Sequence, residues 1–368
     1  MKVALVHDYL VQDGGAERVL LALHELYPTA PIFTLFHDPA LTHPGFAKAD
    51  IRPSSLNTKP FAPRHYQWYL PFMPQAVESF DLAAFDLVIS NSSSFGKGAI
   101  ASPHALHIGY CHTPTRFLWQ ERIGYVSDLP QPRFIKSFLP HFLHHLRQWD
   151  RLAAERPDIL LTNSEISRLR IKRYYHRDAR VIFPPVDVDK IALSFDHDGG
   201  WLAGGRLVAY KRFDLIVHAF AKLGLPLTIF GDGPERKRLQ NIAGPRITFL
   251  GRVDEAKKIQ LYQTCRGFLH PQVEDFGITA IEAMAAGKPI IAFKQGGAKE
   301  TVVDGVTGLH IDVQCWQDLA EAVRTFDQHT FDPAGIREHA ETFSRTRFLN
   351  TMRDTIETAC KTHGLCVA

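Results

Sequence analysis

The sequence predicts an α/β chain of two domains, each a parallel sheet covered by helices. Three observations carry this. The chain has 368 residues, more than one hydrophobic core usually serves. Short apolar runs alternate with amphipathic stretches from end to end, the pattern of parallel strands joined by crossover helices. The pattern then restarts after Asp196-His197-Asp198-Gly199-Gly200.

In the first half, buried strands are expected at residues 3–6, 32–35, 86–90, 106–110 and 159–162. Helices are expected between them, at 16–26 and 165–175 among others. Pro184-Pro185 stops both helix and sheet, so domains of 1–184 and 185–345 are expected. In the second half, strands are expected at 201–203, 227–230, 247–250, 267–269, 289–293 and 308–311. Residues 346–362 read as a surface helix. In open parallel sheets ligands bind beyond the carboxyl ends of the strands, and two such domains facing each other would form one cleft.

Composition narrows the function classes. Hydrophobic residues make up 45% and charged residues 22%, which fits a globular protein. A net charge of +3 is too small to argue for nucleic acid, and suits an anionic small ligand at a local basic site. Five cysteines (Cys111, Cys265, Cys315, Cys360, Cys366) with no C-x-x-C argue against a disulfide framework or a zinc site, so a cytoplasmic location is expected. His7 and Asp8 interrupt the N-terminal apolar run too early for a signal peptide. No apolar run approaches the roughly 18 residues of a membrane span.

The sharpest motif is Pro271-Gln272-Val273-Glu274-Asp275-Phe276-Gly277-Ile278 followed by Glu282. A strand ends near His270, a loop holds Glu274, and a helix starts near Gly277. Glycine lets a ligand approach the backbone, and the free N–H groups of a helix start suit a diphosphate. Glu282 lies along the same helix, where a carboxylate accepts from vicinal hydroxyls. Singly, these glutamates would read as solvated charges; the strand–loop–helix context favours binding.

Gly205-Arg206 and Lys211 follow the first strand of the second half. A guanidinium fork and an ammonium point charge are complementary phosphate binders. Gly14-Gly15 opens the first helix in the same way, though a plain strand–helix turn reads almost as well there. His112 follows a strand in Tyr110-Cys111-His112-Thr113-Pro114, where an imidazole can bond a hydroxyl or handle a proton. Arg116 and Trp119 suit an acceptor's phosphate and apolar face.

Two D-x-D triplets, Asp187-Val188-Asp189 and Asp196-His197-Asp198, lack a strand end, so no metal site is expected there. His141 and His145 have zinc spacing without an evident third ligand. Residues 133–151 interleave Arg133, Phe134, Ile135, Lys136, Phe138 and others with Asp150 as the only acid, and residues 59–72 are similarly basic and aromatic. Such segments lie equally well at an anionic membrane surface or, for 133–151, in a core helix kinked by Pro140.

With these residues in view, the chain resembles glycosyltransferase family 4. The resemblance runs from Val6-His7-Asp8-Tyr9 and Gly14-Gly15-Ala16-Glu17, through Tyr110–Pro114 and Gly205-Arg206…Lys211-Arg212, to Glu274-Asp275-Phe276-Gly277…Glu282 and Asp304-Gly305. It implies the GT-B fold, two Rossmann-like domains facing across a cleft, with residues 346–368 returning to the first domain. It implies a retaining transferase in which His112, Arg206, Lys211 and Glu274 are catalytic. Gly15, Phe276, Gly277, Ile278 and Glu282 would bind the donor; Gly14, Arg116 and Trp119 are assigned to the acceptor. No cofactor and no metal are implied.

The Tyr-Cys-His-Thr-Pro stretch most resembles bacterial mannosyltransferases of surface-polysaccharide assembly. GDP-mannose is then the expected donor and a lipid-diphosphate-linked saccharide the acceptor, with a peripheral contact at the inner face of the plasma membrane. A UDP- or dTDP-sugar donor, or an inactive nucleotide-sugar-binding protein, are the alternatives. A dehydrogenase would need a G-x-G-x-x-G with a following acid, which is missing. One departure is the extra glycine in Ala203-Gly204-Gly205-Arg206, which predicts a loosened loop behind Arg206.

Overall fold

The computed structural model describes residues 1–120 and 133–365, and the backbone alone at 133–138. The readings of Arg133, Phe134, Ile135, Lys136 and Phe138 as membrane-facing side chains, and that of Cys366, lie outside the described residues. The chain divides into two compact units, Met1–Pro184 with Phe348–Ala368, and Pro185–Arg347.

The first unit is built on strands β1 (Val3–Leu10), β2 (Ile32–His37), β3 (Ile51–Pro53), β4 (Leu87–Ser92), β5 (Leu106–Cys111), β6 (Ile159–Thr162) and β7 (Arg180–Val181). They pair in the order β3-β2-β1-β4-β5-β6-β7, all parallel. Side chains alternate between faces along a strand, so both faces need cover. Leu5 joins one core, with Leu20, Ile89 and Ile108. Ala4 and Val6 join the other, with Leu35, Val88, Leu143 and Leu146.

The helix Arg345–Thr362 covers the first of these cores. Phe348, Met352, Ile356 and Ala359 recur every three or four residues and are buried there. The helix Arg133–Ala153 covers the second. Pro140 lies within it, and from Leu139 onward Leu139, Phe142, Leu143, Leu146 and Trp149 pack on the core.

The second unit contains β8 (Trp201–Gly204), β9 (Leu227–Phe230), β10 (Ile247–Gly251), β11 (Gly267–His270), β12 (Ile290–Phe293) and β13 (Gly308–Ile311). Their order is β10-β9-β8-β11-β12-β13, again all parallel. β12 starts after Pro289, which has no N–H to give but whose carbonyl accepts from Phe268.

Both sheets reverse their winding once, between β1 and β4 and between β8 and β11. Such a switch point opens a crevice at the carboxyl ends of the two central strands. Every candidate residue of either unit therefore has a reference place, the ends of β1 and β4 or of β8 and β11.

Candidate active site

β8 ends at Gly204 and β11 at His270, so their following loops are neighbours. Gly204 is extended, and a Cβ there would lie 2.0 Å from the Phe230 ring. The extra glycine thus makes room for an aromatic ring, and the loosened loop expected from it is not its role. Gly205 has φ of +134°, open to glycine, and a Cβ there would sit 3.2 Å from Lys211 Nζ. Lys211 Nζ lies 2.7 Å from Glu274 Oε1, with both side chains only partly exposed at 13% and 16%. Arg206 is exposed and forms no ion pair among the described residues.

The Glu274 loop is held from beneath. Gly297 N–H donates to the Glu274 carbonyl at 2.8 Å. A Cβ on Gly296 would lie 2.4 Å from that carbonyl, and one on Gly297 would lie 2.5 Å from Phe276 Cα. These two glycines went unnoticed in the sequence, although a Gly-Gly pair after a strand was their signal. Phe276 is buried, its ring 5.5 Å from that of Phe343, so its backbone is what it can offer a ligand.

Gly277, with φ of +94°, starts the helix Ile278–Ala285. A Cβ on Gly277 would lie 2.9 Å from His270 Nε2. Gln272 Nε2 donates to His270 Nδ1 at 2.9 Å, which leaves the ring proton on Nε2, 3.9 Å from Glu274 Oε2. Burial drives the His270 pKa down to about 4, against the attraction of Glu274. A neutral imidazole thus backs the Glu274–Lys211 pair. Its position as the last residue of a central strand was the sequence signal for it.

Glu282 is buried, and each oxygen has a partner. Tyr262 OH donates to Oε2 at 2.9 Å and Lys258 Nζ approaches Oε1 at 3.1 Å. Lys258 also pairs with Glu255 at 2.9 Å. Tyr262 and Lys258 stand four apart on the helix Glu255–Thr264, so one helix face presents both.

In the first unit, His112 is buried at the end of β5, and its Nε2 lies 2.6 Å from Asn91 Oδ1. Asn91 also donates from Nδ2 to Ala16 O at 2.8 Å. That contact ties the end of β4 to the helix Gly15–Leu26, whose N-cap is Gly14 in an extended conformation. Beneath this helix start, His7 Nε2 lies 3.5 Å from Glu17 Oε1, both buried. Burial opposes charge on both. The mutual hydrogen bond and opposite charges outweigh it, raising the pKa of His7 and lowering that of Glu17.

Asp8 was likewise unremarked beyond its motif. Its buried carboxylate accepts four consecutive backbone N–H groups, from Ser93 (2.6 Å), Ser94 (2.9 Å), Phe95 (2.8 Å) and Gly96 (2.6 Å). It fixes the loop after β4.

Trp119 spends its indole N–H inside the unit, on Asp150 Oδ2 at 2.7 Å, and stacks on Tyr174. Asp150 also binds Lys97 at 2.6 Å, Thr115 Oγ1 at 2.6 Å and Tyr175 OH at 2.8 Å. The Trp119 ring also meets Tyr175 edge-on and has the Arg147 guanidinium over it, so its N–H and its ring are both engaged within the unit. Arg116 opens the short helix Arg116–Trp119 and is partly buried.

Comparison with known proteins places this geometry. A family model described as Glycosyltransferase Family 4 matches residues 13–190, and one described as Glycosyl transferases group 1 matches residues 200–340. Over 145 residues the chain is 32% identical to a GDP-mannose-dependent alpha-mannosyltransferase of Mycolicibacterium smegmatis, covering 39% of this chain and 38% of that one. It is 26% identical over 220 residues to O-antigen chain mannosyltransferase C of Escherichia coli, covering 55% and 57%. The chain spans about half the length of the curated relatives it matches. Anabaena HepE, solved with UDP and glucose, superposes with a TM-score of 0.73 at 19% identity, covering 97% of this chain and 99% of that one. Sucrose-phosphate synthase from Thermosynechococcus elongatus gives 0.72 at 18% identity, covering 98% and 100%. With both halves matched by family models and both sheets wound alike, the chain belongs to glycosyltransferase family 4 and has the GT-B fold of two Rossmann-like domains.

Proposed function

We propose that the chain transfers mannose from GDP-mannose to a lipid-diphosphate-linked saccharide, with retention of anomeric configuration and without a metal ion. The observation that carries this is the Lys211–Glu274 pair at the β8/β11 switch point, beside the Gly277 helix start. An ammonium has three donors, and Glu274 takes one. The others, with Arg206 and the helix-start N–H groups, suit the donor diphosphate. Relatives named as mannosyltransferases support the choice of sugar.

In the proposed reaction the bond from the sugar C1 to the diphosphate oxygen breaks. The bond from C1 to the acceptor oxygen forms on the same face. The acceptor's proton passes to a departing phosphate oxygen, so no enzyme nucleophile is required. Charge on the diphosphate grows as the bond breaks, and Arg206, Lys211 and the helix start oppose it. Glu274 and the backbone of Phe276, Gly277 and Ile278 hold the sugar, Glu282 the ribose hydroxyls, and His112 a sugar hydroxyl. Gly15 is assigned to the donor; Gly14, Arg116 and Trp119 to the acceptor.

A lipid-linked acceptor calls for a surface that meets the cytoplasmic leaflet. Residues 51–77 contain no Asp or Glu. Within them Phe61, Trp68 and Phe72 are 67%, 60% and 54% exposed, and Lys59 and Arg64 are exposed beside them. Among the described residues no helix is long and apolar enough to cross a membrane, and this patch suits a peripheral contact.

A thermal-shift screen of nucleotide sugars tests the donor. At 100 times its dissociation constant the true donor stabilises by roughly 2.7 kcal/mol. GDP-mannose is expected to lead, and preference for a UDP- or dTDP-sugar would overturn that choice.

A further inference from the structure

A closed hydrogen-bond network in the first unit surrounds one carboxylate that the proposed reaction does not use. Asp150 and Lys97 are each 1% exposed and lie 2.6 Å apart. Every proton between them has a place. An ammonium has three to give. Lys97 gives them to Asp150 Oδ1, to Thr115 Oγ1 at 3.3 Å and to the Ser94 carbonyl. Thr115 Oγ1 passes its own proton to Asp150 Oδ1 at 2.6 Å. Asp150 Oδ2 accepts from Trp119 Nε1 at 2.7 Å and from Tyr175 OH at 2.8 Å. Tyr175 OH in turn accepts from the Thr115 backbone N–H at 3.3 Å.

The network joins the loop after β4, the turn after β5, the helix Arg133–Ala153 and the helix Glu165–Tyr175. It ties the Arg116–Trp119 turn at both ends. Thr115 is the N-cap of that turn, yet its hydroxyl makes no cap bond and goes to Asp150 instead. Trp119 closes the turn and gives its N–H to the same carboxylate. Arg116 lies between the two tethers. Close approach supports the arrangement: a Cβ on Gly98, beside Lys97, would lie 2.5 Å from the Trp149 ring on the helix that carries Asp150. Burying two charges is costly, so such a pair is weak evidence for stability. What it supplies is direction, because charge-assisted bonds are short and aimed.

We propose that Asp150, through Lys97 and Thr115, is a positioning residue for the acceptor, fixing the turn from which Arg116 meets the acceptor's diphosphate. This rests on the reading that Arg116 serves the acceptor. It adds what sets the place of that guanidinium. It also takes Lys97 out of phosphate binding, since its three protons are already placed.

Thr115→Val keeps the shape and removes one tether, and Thr115→Ser restores the hydroxyl. GDP-mannose is the donor and a short-chain lipid-diphosphate-linked saccharide the acceptor, well below each variant's melting temperature. Thr115→Val is expected to raise acceptor KM about 10-fold, the scale of one lost buried hydrogen bond, with GDP affinity within about 2-fold. Thr115→Ser is expected to match wild type. Asp150→Asn, which sets an amide N–H₂ against donors, is expected to raise acceptor KM further. A Thr115→Val protein that melts lower but keeps wild-type acceptor KM and kcat overturns the proposal, since the network is then only structural. Arg116→Ala tests the reading beneath it. If acceptor KM is unchanged there, that reading falls and takes the proposal with it. If KM rises there while Thr115→Val leaves it unmoved, the reading stands and the proposal alone falls.

Discussion

Lys211 and Glu274 lie 63 positions apart in the numbering, yet their charged atoms are 2.7 Å apart. Their residue types and the strand ends before them were legible in the sequence; their pairing was not, because it depends on which strands become neighbours. The same limit hid Lys258 and Tyr262 on Glu282, and Asn91 on His112. Groups that meet growing charge matter more for the chemical step than for binding. Lys211→Ala and Arg206→Ala are therefore expected to lower kcat by roughly 10²–10³. Glu282→Ala is expected chiefly to raise donor KM. Steady-state kinetics with direct donor binding separates these; weaker binding at intact kcat would make the two cations mere anchors.

Two buried histidines add a pH prediction at this scale. Burial lowers the pKa of His107 and of His270 to about 4. The unfolded chain, with histidine near 6.5, binds protons through that window while the native protein does not. Stability accordingly falls as pH drops from about 6.5 to about 4, by up to about 3 kcal/mol per histidine. Urea titrations at pH 7.5 and 4.5 should show a smaller loss for His107→Gln than for wild type. Equal losses would contradict it. His7 runs the other way: its pKa is raised, so its share is lost as pH climbs through the folded value.

Elements with strong apolar periodicity were the most legible. The central strands come from runs such as Val3–Leu10, and the helix Arg345–Thr362 from apolar residues at helical spacing. β3 and β7 were not foreseen, being three and two residues long at the sheet edges, with Pro53 closing one of them. Met352 is fully buried, so Met352→Ala should cost about 2–5 kcal/mol, read by denaturant unfolding. A smaller loss would mean the helix packs less tightly than its burial implies.

The segment around Tyr66–Phe72 makes the second elemental prediction. Phe61, Trp68 and Phe72 to Ser together should abolish sedimentation with anionic liposomes at low salt while leaving kcat for a soluble acceptor unchanged. Wild-type protein that fails to sediment would remove the membrane contact from the account.

At the scale of the whole molecule, one device occurs twice. Each sheet reverses its winding beside its first strand, and candidate residues gather at that reversal, His7, Asn91 and Gly15 in one unit and Lys211, Glu274 and Gly277 in the other. The alternation of strands and helices made this architecture legible, since the order of elements leaves few right-handed ways to wind a parallel sheet. The sugar and the acceptor are less so, because they depend on side chains that shape a ligand's edges.

The most direct test of the central claim is turnover itself. GDP-mannose and a lipid-diphosphate-linked saccharide are incubated with the protein in excess EDTA, and the product is followed by NMR. The account predicts release of GDP, a new glycosidic bond with the donor's α configuration, and a rate indifferent to EDTA. A β-linked product, loss of turnover restored by Mg²⁺ or Mn²⁺, or binding of nucleotide sugars without transfer would contradict it.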